Sequence, residues 1–236
     1  DYSNYEINNT DPSDKKRYIR GMFDSIVPTY DMLNRVLSGG IDNTWRKDLV
    51  RLAGDIKDKQ ILDICCGTGD LTRQLVSAGG KVFSLDFSFN MLKKGSEQGW
   101  LSGENIQADA GKLPFKGQSF DFITIAFGIR NIPDVDIFLA ETYRALTPGG
   151  KLLILELTRP DSPGVRFFYN LYLTKILPFI GGLFSGKREA YRYLSGSIST
   201  FLDKNELIKR IQSAGFKEVN YRRKTLGAAA IYVCLK

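Results

Sequence analysis

Residues 61–70 read Ile-Leu-Asp-Ile-Cys-Cys-Gly-Thr-Gly-Asp, and this decapeptide decides the fold. A short apolar run ends near an acid, two glycines follow two positions apart, and a helical pattern begins after them. This order predicts a strand, a tight turn and the N-terminus of a helix. Gly67 and Gly69 let the backbone approach a ligand closely, and the start of the helix offers unpaired N–H groups. The stretch therefore predicts a ligand-binding turn in an α/β protein.

Asp63 closes the predicted strand and indicates which ligand the turn accepts. Its carboxylate would repel a phosphate, but it can hold a cationic group such as an ammonium. Thr68 lies between the two glycines, where a hydroxyl commonly serves a ligand or a helix cap. The turn therefore suits a nucleoside with a cationic or zwitterionic tail, and S-adenosylmethionine fits that description.

A dinucleotide-binding turn is the main alternative. Its fingerprint G-x-G-x-x-G needs a third Gly or Ala, and Thr72 stands at that place. The next predicted strand ends in Asp86, whose carboxylate can accept two hydrogen bonds from ribose hydroxyls. Both nucleotide classes share such an acid. The loop favours a methyltransferase and leaves a nicotinamide or flavin enzyme open.

Composition narrows the class of protein further. The chain has 236 residues, enough for one well-buried domain, and no run of eighteen apolar residues that would predict a membrane span. The net charge is +7, but no RNA-binding signature or long basic tract accompanies it, so we expect no nucleic-acid partner. The absence of histidine leaves a carboxylate, tyrosine, lysine or water as general base and argues against a metal site. The three cysteines are expected to be packing residues in a reducing, cytoplasmic setting.

From residue 60 onward the predicted strands and helices alternate, which is typical of a doubly wound parallel sheet. The predicted strands are 60–65, 81–86, 104–108, 120–126, 151–157, 217–224 and 228–235. The predicted helices are 70–78, 88–99 with Ser88 as N-cap, 134–146, and 203–214 with Asp203 as N-cap. Residues 148–150, Pro-Gly-Gly, predict a sharp turn before the fifth strand. The fold class is therefore α/β, with a mostly parallel seven-stranded sheet that carries an antiparallel C-terminal hairpin.

Four segments of one domain follow from this pattern. Residues 1–58 form a helical N-terminal cap, with helices predicted over 14–26, 29–37 and 43–53 and with Ser13 and Asp42 as N-caps. Residues 59–158 form the cofactor-binding core, residues 159–200 a helical lid, and residues 201–236 the last helix and the hairpin. Ligands of such sheets lie at the carboxyl ends of the strands. Four residues fall at those ends: Asp63, Asp86, Asp109 and Ala126.

Six segments together resemble one family of enzymes. They are residues 23–34 (Phe-Asp-Ser-Ile-Val-Pro-Thr-Tyr-Asp-Met-Leu-Asn), 37–46 (Leu-Ser-Gly-Gly-Ile-Asp-Asn-Thr-Trp-Arg), 62–71 (Leu-Asp-Ile-Cys-Cys-Gly-Thr-Gly-Asp-Leu), 108–115 (Ala-Asp-Ala-Gly-Lys-Leu-Pro-Phe), 127–132 (Phe-Gly-Ile-Arg-Asn-Ile) and 191–194 (Tyr-Arg-Tyr-Leu). The chain resembles the menaquinone/ubiquinone biosynthesis C-methyltransferases from about residue 15 to its C-terminus. The glycine turn is common to many methyltransferases, whereas the Phe-Gly-Ile-Arg-Asn and Tyr-Arg-Tyr-Leu pieces are more particular.

The resemblance implies a class I, Rossmann-like fold and methylation of a ring carbon of a polyprenylated quinol by S-adenosylmethionine. The cofactor-binding residues it implies are Asp63, Gly67, Thr68, Gly69, Asp86, Phe87, Asp109, Ala110 and Ala126. The chain departs from the family at three places. Cys65 and Cys66 replace small residues, with Cys66 expected beside the ligand. Ala126 cannot offer a side-chain hydrogen bond. Residues 39–46 lack the His that the family tends to carry before an Arg.

The expected chemistry is an in-line methyl transfer to a ring carbon, which becomes nucleophilic when the neighbouring hydroxyl ionises. A phenol pKa near ~10 makes that ionisation cost about 4 kcal/mol at neutral pH. Arg130 is the candidate fixed cation that offsets this cost. Tyr30 and Asn131 are expected to orient the ring hydroxyls, and Asp31 or water to take the proton.

Residues 163–184 are unusually apolar and aromatic, with Arg166 and Lys175 among them and Lys187-Arg188 after them. They predict a lid over an apolar channel for the prenyl tail, with weak peripheral contact to an anionic membrane at the inner membrane face. A buried helix at the sheet edge is the plain alternative. Three further functions stay open: a methyltransferase for another small acceptor, a nicotinamide oxidoreductase, and a catalytically silent partner of a quinone-biosynthesis complex. The oligomeric state and the choice between naphthoquinol and benzoquinol are left open by the sequence.

Overall fold

A computed structural model describes residues 12–31, 35, 38–179, 182 and 188–236, without the side chains of residues 12–15, 188, 189 and 191. Within these described residues, seven strands form one sheet in the order β3-β2-β1-β4-β5-β7-β6. The strands are β1 Gln60–Ile64, β2 Lys81–Asp86, β3 Glu104–Gln107, β4 Phe120–Ala126, β5 Leu146–Leu157, β6 Glu218–Lys224 and β7 Ala229–Leu235. Strands β1 to β5 pair in parallel, and β7 runs antiparallel to both β5 and β6. The predicted mostly parallel sheet with its C-terminal hairpin is confirmed.

The helices surround this sheet. They are α1 Pro12–Ile26, α2 Ile41–Ala53, α3 Thr72–Ser77, α4 Phe89–Glu97, α5 Val135–Ala145, α6 Pro163–Leu171, α7 Arg188–Thr200 and α8 Lys204–Ser213. Ser88 and Asp203 cap α4 and α8 as predicted, because their side chains accept backbone N–H groups of the first turn. A short π-helical stretch, Tyr172–Ile176, continues α6. Among the described residues, no helix combines the length and the apolar character that crossing a membrane requires.

Three local predictions in the N-terminal half differ from the structure. Helix α1 begins at Pro12, so Ser13 lies inside its first turn and is not the N-cap. Gly40, with φ +77°, precedes α2, and Asp42 lies inside the helix, where its carboxylate pairs with Arg46. The helix predicted over 29–37 falls largely outside the described residues, and residues 27–29 form a 3-10 turn before it.

The fifth strand is longer than predicted. It begins at Leu146 and passes through the Pro-Gly-Gly segment, where the sequence predicted a turn. The pairing with β4 slips between Phe120 and Phe122, which pair with Leu146 and Lys151 respectively. Such a bulge lets the extra residues loop out while the strand continues.

Both faces of the central strands are buried, which explains their continuous apolar runs. On one face Leu62, Ile123 and Ile154 pack with Phe138 of α5, and all four are fully buried. On the other face Ile61 and Leu153 pack with Leu49 of α2. A third apolar cluster lies outside the sheet and joins α1, α7 and the stretch after α6: Ile26, Leu173, Leu177, Ala190 and Ile198. This third cluster covers the carboxyl ends of the central strands.

Candidate active site

The glycine turn after β1 has the backbone geometry that its sequence predicts. Gly67 and Gly69 have φ angles of +58° and +98°, in the left-handed region that favours glycine. A Cβ on Gly69 would lie 2.6 Å from Leu101 Cδ2, so packing also requires glycine there. A Cβ on Gly67 would meet only Tyr30, at 3.8 Å, so this part of the turn is open toward a cavity.

Asp86 stands at the end of β2 and holds the turn. Its carboxylate accepts backbone N–H groups from Gly67 at 2.9 Å and from Ser88 at 2.8 Å. Burial raises the pKa of Asp86 above its ordinary value, and these hydrogen bonds work in the opposite direction. Each carboxylate oxygen has further acceptor positions, so Asp86 can still receive hydroxyl donors from the cavity it faces.

Asp63 lies behind the turn. Only 1% of it is exposed, and its two oxygens accept hydroxyl groups of Thr72 at 2.7 Å and Thr124 at 2.8 Å. Burial raises its pKa to about 6, although both hydrogen bonds favour the ionised form. Asp63 does not line either cavity at this edge of the sheet. The structure thus places it where it fixes β1 to α3 and β4, and direct contact with an ammonium group is not part of its geometry.

Asp31 was expected to take a proton from the substrate, and the structure places it elsewhere. Its carboxylate accepts the Thr68 hydroxyl at 2.5 Å and the Gln98 amide at 3.1 Å, and Lys94 lies 3.2 Å away. Neither Asp31 nor Thr68 is among the described residues that line the two cavities at this edge of the sheet. This cluster ties the N-terminal segment to the glycine turn and α4.

The first cavity opens at the carboxyl ends of β1, β2 and β4, with about 800 Å³ of empty space including its mouth. Six of the nine predicted cofactor residues line it: Gly67, Asp86, Phe87, Asp109, Ala110 and Ala126. Cys65 also lines it, whereas Cys66 packs against Leu92 and Leu101. Cys66 was expected beside the ligand, but Cys65 is the cysteine that faces the cavity.

Helix α1 covers this first cavity. Lys16 forms an ion pair with Asp109, and the Arg20 guanidinium lies 5.6 Å from the centre of the Phe87 ring. Burial works against ionisation of Asp109, but the hydrogen bonds from Lys16 and the backbone of Gly111 outweigh it and leave its pKa below the usual value. The sequence predicted a helical cap, but it did not predict the Lys16 contact.

The second cavity lies beside the first under the third apolar cluster, with about 1100 Å³ of empty space. It is enclosed by α1, α2, α7 and the stretch after α6, and its lining is largely apolar and aromatic. Phe23, Tyr30 and Phe127 line both cavities and form their common wall. Phe127 has a φ of +59°, a strained conformation for a non-glycine residue, which turns its ring into this wall. Tyr30, a predicted catalytic residue, is therefore at the junction.

Arg130 lines the second cavity, but it is not a free cation. Its guanidinium pairs with Glu156, and the two side chains are 7% and 1% exposed. It also donates to the carbonyl of Phe127 at 2.8 Å and to the Ser197 hydroxyl at 3.3 Å. Arg130 is thus a fixed cation at the second cavity, as predicted, but the sequence did not predict that Glu156 balances its charge.

Asn131 lines the first cavity and connects it to the second. Its side-chain oxygen accepts the hydroxyl of Tyr193 at 3.0 Å, and Tyr193 lines the second cavity. Burial raises the pKa of Tyr193 to about 12, so its hydroxyl keeps its proton and donates. The sequence places Tyr193 in the Tyr-Arg-Tyr-Leu segment of the family resemblance, but it does not predict this contact.

The second cavity also contains polar residues that sequence reasoning missed. Ser38, Asp42 and Arg46 line it, together with Trp45, whose indole donates to Thr225 at 2.9 Å. All four residues lie in segment 37–46, which carries part of the family resemblance, but the only role the sequence predicts there is that of Asp42 as N-cap. Only the packing of α2 against the sheet brings them to the cavity.

The first cavity fits S-adenosylmethionine. The open turn at Gly67 admits a close ligand, Asp86 presents acceptors for ribose hydroxyls, and apolar residues such as Ala110 and Met91 supply a surface for a base. The strand order, with its reversed last strand, and this site define a class I S-adenosylmethionine-dependent methyltransferase.

The comparison with family models specifies the class further. The model of the ubiE/COQ5 methyltransferase family matches residues 10–236, and the chain belongs to this family. A demethylmenaquinone methyltransferase of Thermus thermophilus is 43% identical over 90% of this chain and 98% of its own length. The ubiquinone/menaquinone biosynthesis C-methyltransferase UbiE of Saccharophagus degradans is 39% identical over 96% of this chain and 94% of its own.

Solved structures agree on the fold. A methyltransferase of Thermotoga maritima, described as a possible histamine N-methyltransferase, superposes with a TM-score of 0.67 at 21% identity, covering 92% of this chain and 99% of that one. The Haemonchus contortus phosphoethanolamine N-methyltransferase 2, solved with S-adenosyl-L-methionine, gives a TM-score of 0.60 at 18% identity over 81% and 52% of the two chains. The protein is an S-adenosylmethionine-dependent methyltransferase.

Proposed function

We propose that this methyltransferase methylates a ring carbon of a prenylated quinol held in the second cavity. The observation that carries the proposal is the common wall of Phe23, Tyr30 and Phe127, which places an apolar, aromatic cavity directly beside the cofactor cavity. A methyl donor in one cavity and a flat ring in the other would meet at this wall. Relatives with about 40% identity carry the names demethylmenaquinone methyltransferase and ubiquinone/menaquinone biosynthesis C-methyltransferase.

The cofactor supplies an electrophilic methyl group when bound. We assign its contacts to the six lining residues named above, with Asp86 receiving the ribose hydroxyls and Gly67 admitting the tail. Asp63, Thr68 and Gly69 act on the cofactor through the shape of the turn. The side chains of Asp63 and Thr68 make hydrogen bonds inside the protein, and the N–H of Gly69 donates to the Cys66 carbonyl at 3.0 Å. Water is excluded by α1, which closes over this cavity.

On the acceptor side, we assign orientation of the ring to Tyr30, Asn131 and Arg130. Arg130 remains a hydrogen-bond donor with a fixed direction, since Glu156 and the Phe127 carbonyl hold its guanidinium. Tyr193 fixes Asn131 in the same way. Held donors of this kind orient a ring hydroxyl without having to reorganise during the reaction.

Helix α6 and the stretch that continues it suit a substrate from a membrane. One face contributes Tyr169, Leu173 and Leu177 to the second cavity. The opposite side exposes three phenylalanines, Phe167, Phe168 and Phe179, at 65%, 69% and 64%. We propose that this exposed side rests on the surface of an anionic membrane. The prenyl tail would then pass from the membrane along this segment into the second cavity.

The basic flank of this surface is only partly described. Arg166 donates to the carbonyls of Pro160 and Asp161, which fixes it near the start of α6. Lys187 and the side chain of Arg188 lie outside the described residues. Each cation near an anionic surface contributes about 1 kcal/mol, so we expect weak, salt-sensitive attachment.

A transfer assay tests the proposed reaction. The purified protein is incubated with methyl-labelled S-adenosylmethionine and, separately, with a short-chain demethylated naphthoquinol and a benzoquinol, each kept reduced. We expect the label on a ring carbon of at least one acceptor, and the comparison identifies the preferred headgroup. Binding of the cofactor without labelled product from either quinol contradicts the proposal and favours another acceptor or a silent partner.

A vesicle assay tests the membrane contact. We expect the protein to sediment with anionic vesicles, to be released by raised salt, and to bind less after Phe168→Ser. Ile137→Ser on α5 is the matched control, since Ile137 is an exposed apolar residue at 51% on another face. Equal binding to neutral vesicles contradicts the electrostatic part, and unchanged binding of Phe168→Ser contradicts the assigned surface.

A further inference from the structure

The transfer to a ring carbon needs a proton acceptor, and the residue first expected in that role, Asp31, does not reach the acceptor. The chain contains no histidine. Among the described residues that line the second cavity, Asp42 is the one carboxylate. It lies in the first turn of α2 and is 6% exposed. Asp42 is therefore a nearly buried carboxylate that faces the cavity proposed for the acceptor.

Asp42 is held by two neighbours. One carboxylate oxygen accepts the Ser38 hydroxyl at 2.7 Å, and the other pairs with the Arg46 guanidinium. Both partners also line the second cavity. A carboxylate offers about four acceptor positions, so these two bonds fix its direction and leave positions for a hydroxyl of the substrate.

The pair lies next to the wall between the two cavities. The Arg46 guanidinium is 4.9 Å from the centre of the Phe127 ring, and Phe127 lines both cavities. Trp45 packs against the same ring, with 6.2 Å between the ring centres. Asp42 is thus one side chain away from the place where methyl donor and acceptor meet.

The other acidic groups nearby are excluded by their contacts. Glu156 is paired with Arg130, also accepts the backbone N–H of Leu157 at 2.8 Å, and does not line the cavity. Asp63 does not line the second cavity, and its two oxygens are held by threonine hydroxyls behind the glycine turn. The hydroxyl of Tyr193 is already donated to Asn131, and burial keeps it protonated.

We propose that Asp42 accepts the proton of the quinol hydroxyl during methyl transfer, with Ser38 and Arg46 holding its carboxylate. The inference rests on the proposed quinol substrate. The O–H bond breaks toward Asp42, the ring carbon beside it bonds to the methyl carbon, and the sulfonium–methyl bond breaks with its electron pair left on sulfur. The ring then loses its C–H proton to water, and Asp42 returns its proton to the ring oxygen.

The first test is Asp42→Asn, which keeps the shape and removes the basic oxygen. We expect kcat to fall about 100-fold, the usual order for a lost general base, while the Kd for S-adenosylmethionine stays within twofold of the wild type. Asp48→Asn is the matched control on the same helix, since Asp48 pairs with Arg51 and Lys224 and lines neither cavity. It should keep the wild-type kcat.

A structural role of the ion pair is separated by two further measurements. The double variant Asp42→Asn/Arg46→Gln removes both charges and should stay as slow as Asp42→Asn. Full recovery of kcat would show that Asp42 only balances Arg46 and would overturn the proposal. A ring-chlorinated quinol, whose hydroxyl is more acidic, should shrink the Asp42→Asn defect at least fivefold, and an unchanged defect would also overturn it.

The failure of this inference is distinguishable from that of the proposed function. A wild type that methylates neither quinol contradicts both. An active wild type with an equally active Asp42→Asn variant contradicts only the assignment of Asp42.

Discussion

The two cavities differ in how the chain builds them. Most residues that line the first cavity lie in short stretches after β1, β2, β3 and β4, and helix α1 covers it. The second is assembled from helices far apart in the chain, with Met22, Asp42, Leu173 and Tyr193 facing one space. A cofactor site fixed by strand ends can be shared across many methyltransferases, whereas a cavity roofed by separate helices can be adapted to one acceptor.

The two cavities also differ in how their charges are arranged. In the first, Asp86 keeps its carboxylate toward the cavity and is held by backbone N–H groups. In the second, the charged groups are buried ion pairs, Arg130 with Glu156 and Arg46 with Asp42. We infer that the carboxylate of the first cavity binds a polar ligand directly. In the second cavity, the ion pairs hold hydrogen-bonding groups in fixed directions within an apolar space.

The largest expected effect comes from breaking an ion pair of the second cavity. Arg130→Ala should lower the free energy of unfolding by roughly 3–5 kcal/mol, because it leaves the buried Glu156 carboxylate without its partner. Chemical denaturation at pH 7 measures this. Turnover should fall as well, while the folded variant keeps its affinity for S-adenosylmethionine.

The control for this variant is Arg130→Gln/Glu156→Gln, which removes both charges and keeps hydrogen-bonding groups. It should recover most of the lost stability without recovering turnover. Wild-type stability and turnover in Arg130→Ala would mean that the second cavity does not depend on this pair.

The next effect is the pH dependence of stability that arises from Asp63, which supports the turn of the first cavity. The carboxyl of Asp63 keeps its proton up to about pH 6 in the folded protein, compared with 3.8 as its ordinary pKa. The folded state therefore binds more protons between these values, so Asp63 lowers stability as pH rises through them, by up to about 3 kcal/mol. Asp63→Asn lacks this titration.

Denaturation of both proteins at pH 4, 5, 6 and 7 checks this sign. The stability of Asp63→Asn relative to the wild type should increase from pH 4 to pH 6 and then level off. A relative stability that decreases over that interval would mean that the pKa of Asp63 is lowered and that its burial is offset by the threonines.

A third variant tests direct recognition in the first cavity. Asp86→Ala should weaken binding of S-adenosylmethionine about 10–100-fold, in line with 1.5–3 kcal/mol for hydrogen bonds to a charged group. Calorimetric titration measures the affinity, and the KM for the quinol should change little. Asp86→Asn keeps one acceptor oxygen and should lose less. Equal affinity in Asp86→Ala would place the ribose elsewhere.

The smallest effect sharpens the link between the cavities. Tyr193→Phe removes the hydroxyl that Asn131 accepts at 3.0 Å, so we expect a loss of about 1 kcal/mol, a several-fold decrease in kcat/KM for the quinol. Tyr221→Phe is the control, because this ring packs against Tyr232 away from both cavities. The link is unsupported if the two variants behave alike in steady-state kinetics.

The same contrast explains what could be predicted from the sequence. Asp86, Gly67 and Ala126 were predicted to lie together at one edge of the sheet, and they line the first cavity. Strand ends of a parallel sheet meet at one edge, so position along a strand already gives position in space. The strand 120–126 was predicted to the residue, since an apolar run between turn signals has few other interpretations.

The residue roles that the sequence predicted incompletely depend on the partners of each side chain. Asp42 was predicted to be an N-cap, but it lies inside α2 and pairs with Arg46 four positions later in the same helix. Asp31 was predicted to be a base, but a tertiary contact with Thr68, 37 positions away, holds its carboxylate. Arg130 was predicted to be a fixed cation, but its partner Glu156 was not predicted, because it lies on β5, 26 positions away. Such partners are set by packing between elements, which no local signal reports.

The crystal structure of a ternary complex with S-adenosylhomocysteine and a short-chain demethylated quinol tests the two-cavity arrangement most directly. We predict the ribose hydroxyls on Asp86 in the first cavity and the quinol ring in the second. The methyl-accepting carbon should face the sulfur directly, where the two cavities adjoin beside Tyr30 and Phe127. A quinol bound outside the second cavity, or a nucleoside bound away from Asp86, would contradict it.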